Sequence, residues 1–148
     1  MDDASPQGDI VPLAYRLTER LTAHYFARIA EFGLSRSEAK ALVALQPGES
    51  VLIGKVAEIL WADRSNTTNL INRLVGRGLV ERRSGSAAGL TDGRARAIVL
   101  TPEGEELRRR LLERTAEGNP VYGDLSPREL HQLRGLLIRL DQHAQAQP

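Results

Sequence analysis

A chain of 148 residues with 41% hydrophobic and 26% charged side chains can close one core without staples, and that composition excludes a disordered or fibrous protein. The lack of cysteine excludes disulfides, thiolate metal sites and a thiol redox switch, and no apolar run reaches the roughly 20 residues that span a bilayer. Net charge is +1 overall, yet residues 61–100 hold seven arginines against Asp63, Glu81 and Asp92, a local +4 that leaves −3 for the remainder. A basic middle between acidic ends is the layout expected of a chain whose centre meets phosphate. The acidic start, MDDASPQGDI, lacks the basic-then-apolar order of a signal peptide, so a cytoplasmic protein is expected.

Residues 1–8 read as a disordered tail. After Ile10, the residues Leu13, Leu17, Leu21, Tyr25 and Ile29 recur at every fourth position, which predicts one long amphipathic helix over 10–31, stopped by Gly33. Ser35 and Glu38 are spaced as a capping box for a helix reaching about Leu45. Val51–Leu52 is a candidate for a very short strand after the PGES turn, and 53–60 reads as a third helix burying Val56, Ala57 and Leu60. Asp63 is placed to cap a fourth helix that runs to Arg77 and ends at Gly78. LVERR (79–83) and ARAIVL (95–100) read as antiparallel strands around a Gly/Ser-rich loop. Thr101 caps and Pro102 opens a fifth helix to about Glu117. Ser126 and Glu129 form a second capping box for a last helix carrying Leu130, Leu133, Leu137 and Leu140. The expected fold is mainly α with a small β-hairpin. A winged helix-turn-helix at 33–100 lies within a single domain, 9–148, and is flanked by dimerisation helices at 9–32 and 101–145, whose apolar stripes the small middle part cannot cover.

The fourth helix carries the functional reading. Leu70, Ile71 and Leu74, with Thr67 one turn earlier, fall on its inward face. Ser65, Asn66, Thr68, Asn69, Asn72 and Arg73 face outward, preceded by Arg64. Short hydrogen-bonding and basic side chains with no acid among them suit a helix laid in the major groove of duplex DNA. There Asn reads adenine, Arg reads guanine, and Ser or Thr contacts phosphate or base edges. A merely solvated face would mix Glu with Lys, and Asn and Thr are poor helix formers on one. The hairpin adds Arg82, Arg83, Arg94 and Arg96, with Asp92 spaced to hold Arg94 or a neighbouring arginine extended. An arginine at a hairpin tip suits a narrow minor groove; the plainer alternative is a surface hairpin with a weak ion pair. His24, His131 and His143 are too scattered to indicate a metal site. No GxSxG elbow and no Gly-rich phosphate loop occurs, so no cofactor, metal or enzymatic activity is expected.

The stretch DRSNTTNLINRLVGRGLVERR, followed by TDGRARAIVLTPEGEEL, resembles the multiple-antibiotic-resistance regulator (MarR) family. The matching features are a recognition helix ending in RL…RGLVERR, a wing carrying Asp-x-Arg (Asp92, Arg94), and LTPEG opening the next helix. The likeness covers about residues 33–115; outside it only position and pattern agree. It implies a homodimer interlocked through its terminal helices, two winged parts on a pseudo-palindromic operator, Arg94 in the minor groove, and often a small ligand between the dimerisation and DNA-binding parts. The chain departs from the family pattern at Thr67, where an apolar residue is usual, at Trp61, in a turn where Gly or a small residue is common, and in a longer wing.

The function expected on this resemblance is that of a ligand-responsive repressor. The alternatives are an effector-independent regulator or activator, then a winged helix used for protein or RNA contact. With no thiol to oxidise, a ligand would act by changing the spacing of the two recognition helices. Tyr15, Arg16, Tyr25 and Trp61 are the candidate ligand contacts, since aromatics with a cation suit a small aromatic acid. On the plainer reading Trp61 packs in the bend, and Tyr15, Tyr25, Phe26 and Tyr122 belong to interface core.

Overall fold

Local signals set most of the element boundaries. In the computed structural model, which describes residues 6–85 and 96–146, the elements are α1 (Pro6–Glu31), α2 (Arg36–Ala44), β1 (Val51–Leu52), α3 (Ile53–Leu60), α4 (Arg64–Gly76), β2 (Val80–Ser84), β3 (Arg96–Leu100), α5 (Pro102–Ala116) and α6 (Pro127–Gln145). Both capping boxes form: the Ser35 N–H donates to Glu38 Oε2 at 2.7 Å and the Ser126 N–H to Glu129 Oε2 at 2.8 Å. One expectation is corrected and another is extended. Helix α1 begins at Pro6, so residues 6–8 are helical and not tail; Asp9 in its first turn favours that early start through the helix dipole. The hairpin is also part of a three-stranded antiparallel sheet of order β1-β3-β2, because Val51 and Leu52 pair with Ile98 and Ala97. Among the described residues, no helix is long and apolar enough to cross a membrane.

The chain divides into two compact units. One comprises the residues up to Thr22 with those from Gly118 onward, and the other is Ala23–Glu117. The unit that contains residues 33–100 also takes in the end of α1 and all of α5. Helix packing explains the addition. Ile29 near the end of α1 and Leu111 of α5 are buried in the same core as Leu42, Leu45, Val56, Leu70, Ile71, Leu74, Ile98 and Leu100. Arg114 reaches both carboxylate oxygens of Glu31 at 2.7 and 3.0 Å, and His24 Nε2 lies 3.1 Å from the Thr115 carbonyl. In the other unit, Ile10, Val11, Leu13 and Leu17 of α1 and Leu136, Leu137 and Leu140 of α6 are exposed.

The exit from α4 and the start of α5 are held as one joint. Gly78 takes φ +70°, a left-handed conformation that glycine adopts without a Cβ clash, and the Leu79 N–H then returns to the Leu74 carbonyl at 3.0 Å. Thr101 closes the joint from the other side. Its hydroxyl donates to the Gly78 carbonyl at 2.6 Å and accepts from the Gly104 N–H at 3.0 Å, while its own N–H donates to the Leu79 carbonyl at 3.1 Å. A Cβ on Gly104 would stand 1.9 Å from the Leu79 carbonyl oxygen, which is backbone and cannot swing away. Gly104→Ala is expected to cost about 3 kcal/mol, a fall in Tm of roughly 6–12 °C. Gly76→Ala, in α4 with nothing within 4 Å of the new methyl, is expected to raise stability by up to about 1 kcal/mol. Thermal unfolding of the two variants side by side checks the contrast, which would vanish if the Gly104 joint could relax.

Candidate nucleic-acid interface

Helix α4 presents its outer face because its inner face is fully used. Thr67, Leu70, Ile71 and Leu74 are buried, and Thr67, the one polar member, satisfies its hydroxyl by donating to the Asp63 carbonyl at 2.9 Å. The departure at Thr67 therefore leaves no unsatisfied group. Asp63 caps the helix as expected, accepting from the Asn66 N–H at 2.8 Å. That N–H, with other hydrogen bonds from Asn66 and Ser65, holds the Asp63 carboxyl below its ordinary range against a smaller opposing effect of desolvation. Ser65, Asn66, Thr68, Asn69, Asn72 and Arg73 are all exposed, as is Arg64.

These side chains differ in what else they do. The Asn66 amide donates to Asp63 Oδ2 at 2.5 Å, so it belongs to the cap as much as to the outer face. The Thr68 hydroxyl donates to the Arg64 carbonyl at 2.9 Å, which leaves its oxygen to accept. Asn72 Oδ1 accepts from Arg82, tying the helix to strand β2. Among the described residues, Ser65 and Asn69 make no internal side-chain hydrogen bond, and Arg64 and Arg96 have no carboxylate partner.

Strand period separates the neighbouring arginines of the wing. Arg83 shares a face with Glu81 and donates to it at 2.8 and 3.0 Å; Arg82 points the other way. Arg82, Arg96, Arg64 and Thr68 line one cleft of about 710 Å³, together with Lys55 and Glu58 of α3. Of the hairpin arginines, Arg82 and Arg96 line this cleft while Arg83 does not, and Lys55 joins them. The cleft carries four cations and one carboxylate, and that carboxylate, Glu58, is already paired with Lys55 at 2.8 Å. On the other side of α4, Asn66, Asn69 and Arg73 border a second cavity of about 430 Å³ with Ser37, Lys40 and Trp61. Asp92 and Arg94 lie outside the described residues.

Glu38 is the residue that the linear reading undervalued. It is 5% exposed and accepts from the Ser35 N–H. Arg77 Nη1 lies 3.3 Å and Arg73 Nε 3.8 Å from its carboxylate oxygens. Burial pushes its carboxyl up, but the Ser35 hydrogen bonds and the charges of Arg77 and Arg73 outweigh burial and leave it below its ordinary value near 4.5.

The candidate ligand contacts are divided between the two units, Tyr15 and Arg16 in one and Tyr25 and Trp61 in the other. Tyr25 is partly buried beside Phe26, at 6.1 Å between ring centroids, and burial raises its phenol pKa. Arg16 lines a groove formed with Leu13, Leu17 and Arg20, and Trp61 is the only one of the four in its cavity. Trp61 also does not pack in the bend: it is 89% exposed.

A three-helix core, a three-stranded sheet and a polar, exposed fourth helix followed by a two-stranded wing define a winged helix-turn-helix protein. Residues 32–89 match the sequence model of the MarR family. The fold is that of a MarR-family transcriptional regulator from Silicibacter pomeroyi (TM-score 0.72, 21% identity, covering 95% of this chain and 92% of that one). It is also that of Bordetella bronchiseptica BpsR (0.68, 22%, 95% and 96%), whose DNA binding is described as regulated by 6-hydroxynicotinic acid, and of the reduced form of MarR from E. coli (0.69, 18%, 88% and 95%). No curated protein matches the chain. The match to the family model covers residues 32–89 of the winged part, and the fold is the one these MarR-family structures share.

The Glu38 cluster makes a pH-dependent contribution of defined sign. A carboxyl whose folded pKa is depressed stabilises the fold above its unfolded pKa and loses that contribution as pH falls through the folded value. Glu38→Gln is expected to lower stability by about 1–3 kcal/mol at neutral pH. The gap between parent and variant should shrink as pH drops below about 4.5. Urea unfolding at a series of pH values measures this, and a gap independent of pH would contradict a charged role for Glu38.

Proposed function

We propose that this protein is a sequence-specific DNA-binding transcriptional regulator that acts in the cytoplasm as a homodimer on a pseudo-palindromic operator, and that it is a repressor released by a small ligand. The observation that carries the DNA reading is the outer face of α4: seven exposed polar or basic side chains from Arg64 to Arg73 with no carboxylate among them, continuous with a cleft that Arg64, Arg82, Arg96 and Lys55 make positive. Asn69 and Arg73 have the chemistry for base edges, and Arg64, Ser65, Thr68 and Arg96 that for phosphate. Arg94, in the segment between β2 and β3, is assigned to the minor groove by family resemblance. A partner protein would call for apolar side chains on this face, and α4 offers none.

The dimer reading rests on the exposed leucines of α1 and α6, since burying each would contribute roughly 1.5–3 kcal/mol. The ligand reading rests on the likeness to BpsR, whose regulator is a small aromatic acid. A ligand that moves the population from 99% to 1% competent must favour the incompetent state by about 5.5 kcal/mol.

Selection of duplexes from a random pool tests the DNA reading. Enrichment of an inverted repeat with half-site centres about one helical turn apart is expected, and no enrichment would refute it. On the selected duplex, log Kd against log salt should be steep, by about 0.9 per phosphate neutralised. Arg64→Ala and Arg96→Ala should each reduce that slope by about one and weaken all sequences alike. Asn69→Ala should cost roughly 1–3 kcal/mol and relax one position per half-site. For the dimer, sedimentation equilibrium of Leu13→Glu and Leu137→Glu is expected to give folded monomers where the parent is dimeric; a monomeric parent at micromolar concentration would remove the two-half-site model.

A further inference from the structure

Trp61 ends α3 in a backbone conformation that a side chain as large as tryptophan disfavours. It is the C-cap of α3 with φ 54° and ψ 39°, and among the described residues it is the one non-glycine residue with positive φ. Left-handed backbone crowds the Cβ of any L-residue, and Gly is the usual occupant of this helix-ending position. The indole recovers nothing from the core, being 89% exposed. An unfavourable backbone beneath an unburied aromatic marks a residue kept for a partner.

The surroundings identify that partner's chemistry. Trp61 stands at the rim of the cavity lined by Asn66, Asn69 and Arg73 of α4 and by Lys40 of α2. Lys40 gives one of its three donors to the Leu60 carbonyl at 3.2 Å and has two more for an anion. The single carboxylate there, Asp63, is occupied by the Asn66 N–H and amide. The rim thus pairs an apolar ring and an N–H donor with two cations, directly beside side chains suited to base edges. We propose that Trp61 contacts the DNA backbone flanking the major groove, its ring face against a deoxyribose and its Nε1–H on a phosphate oxygen, with Lys40 on the same strand. This inference rests on the DNA-binding reading and adds to it a residue from outside the recognition helix.

The chain contains a single tryptophan, so its intrinsic fluorescence reports on this site alone. The test uses the full chain and the selected duplex. Acrylamide quenching of the parent should fall several-fold on DNA binding, and less with a non-cognate duplex of equal length. Trp61→Gly, which removes the ring and relieves the backbone, should keep or raise Tm while Kd for DNA rises about tenfold; Trp61→Phe should recover part of that loss. Unchanged affinity of Trp61→Gly, with Arg73→Ala still weakened, would overturn the Trp61 contact and leave the DNA reading standing. A parent that binds no duplex would remove both. Shielding of Trp61 by a small aromatic acid alone, or by raising protein concentration alone, would instead assign the ring to a ligand or to self-association, and a large fall in Tm for Trp61→Gly would make it a packing residue. Each of these results contradicts the proposal.

Discussion

A glutamate with 5% of its surface exposed joins three parts of the winged unit. Glu38 closes the first turn of α2 through Ser35, faces Arg77 at the end of α4, and lies 3.8 Å from Arg73 one turn earlier. Arg77 extends the link by donating to the Gly33 carbonyl at 3.0 Å, where α1 ends. A buried carboxylate is costly unless its charge is matched and its lone pairs are used. Here the Ser35 backbone N–H and two guanidinium groups meet that need. The consequence for function is orientation. Buried apolar contacts at Leu70, Ile71 and Leu74 set which face of α4 is hidden, and the Glu38 cluster anchors the helix's C-terminal half against rolling about its axis. The outer face from Arg64 to Arg73 is presented as a consequence of how the inner face and this cluster are held.

The same geometry sorts the arginines by availability. Arg77 is engaged in the fold, Arg83 is paired with Glu81, and Arg114 and Arg109 are each bound by two carboxylates that raise their pKa further above the usual range for arginine. Arg64 and Arg96 have no such partner among the described residues, and Arg82 is directed at Asn72. Exposed ion pairs contribute little to stability; their effect here is to neutralise arginines away from the cleft, so that positive potential concentrates beside α4. Net charge near zero and a focused basic surface are compatible for that reason.

Much of the fold was legible because its signals are local. The serine–glutamate spacings at 35/38 and 126/129, Asp63 before α4, and Thr101–Pro102 before α5 each act within one helical turn, and each forms the expected cap. What was not legible depends on contacts distant in sequence. Nothing near Glu38 indicates that Arg77, thirty-nine residues on, will neutralise it. Trp61 was expected to pack because tryptophan usually does, and its exposure became visible only once α3 and α4 were oriented. The separation of Arg82 from Arg83 was within reach: a period of two along β2 puts Glu81 and Arg83 on one face and turns Arg82 toward α4.

The central claim is that α4 reads DNA from the major groove. Methylation interference with dimethyl sulfate on the selected duplex tests it directly, since the reagent modifies guanine N7 in the major groove and adenine N3 in the minor groove. Interference is expected at guanine N7 within each half-site, where Arg73 and Asn69 would meet base edges, with adenine N3 effects confined to the flanks that the wing would reach. Free binding of duplexes fully methylated at guanine N7, or interference limited to adenine N3, would contradict the account.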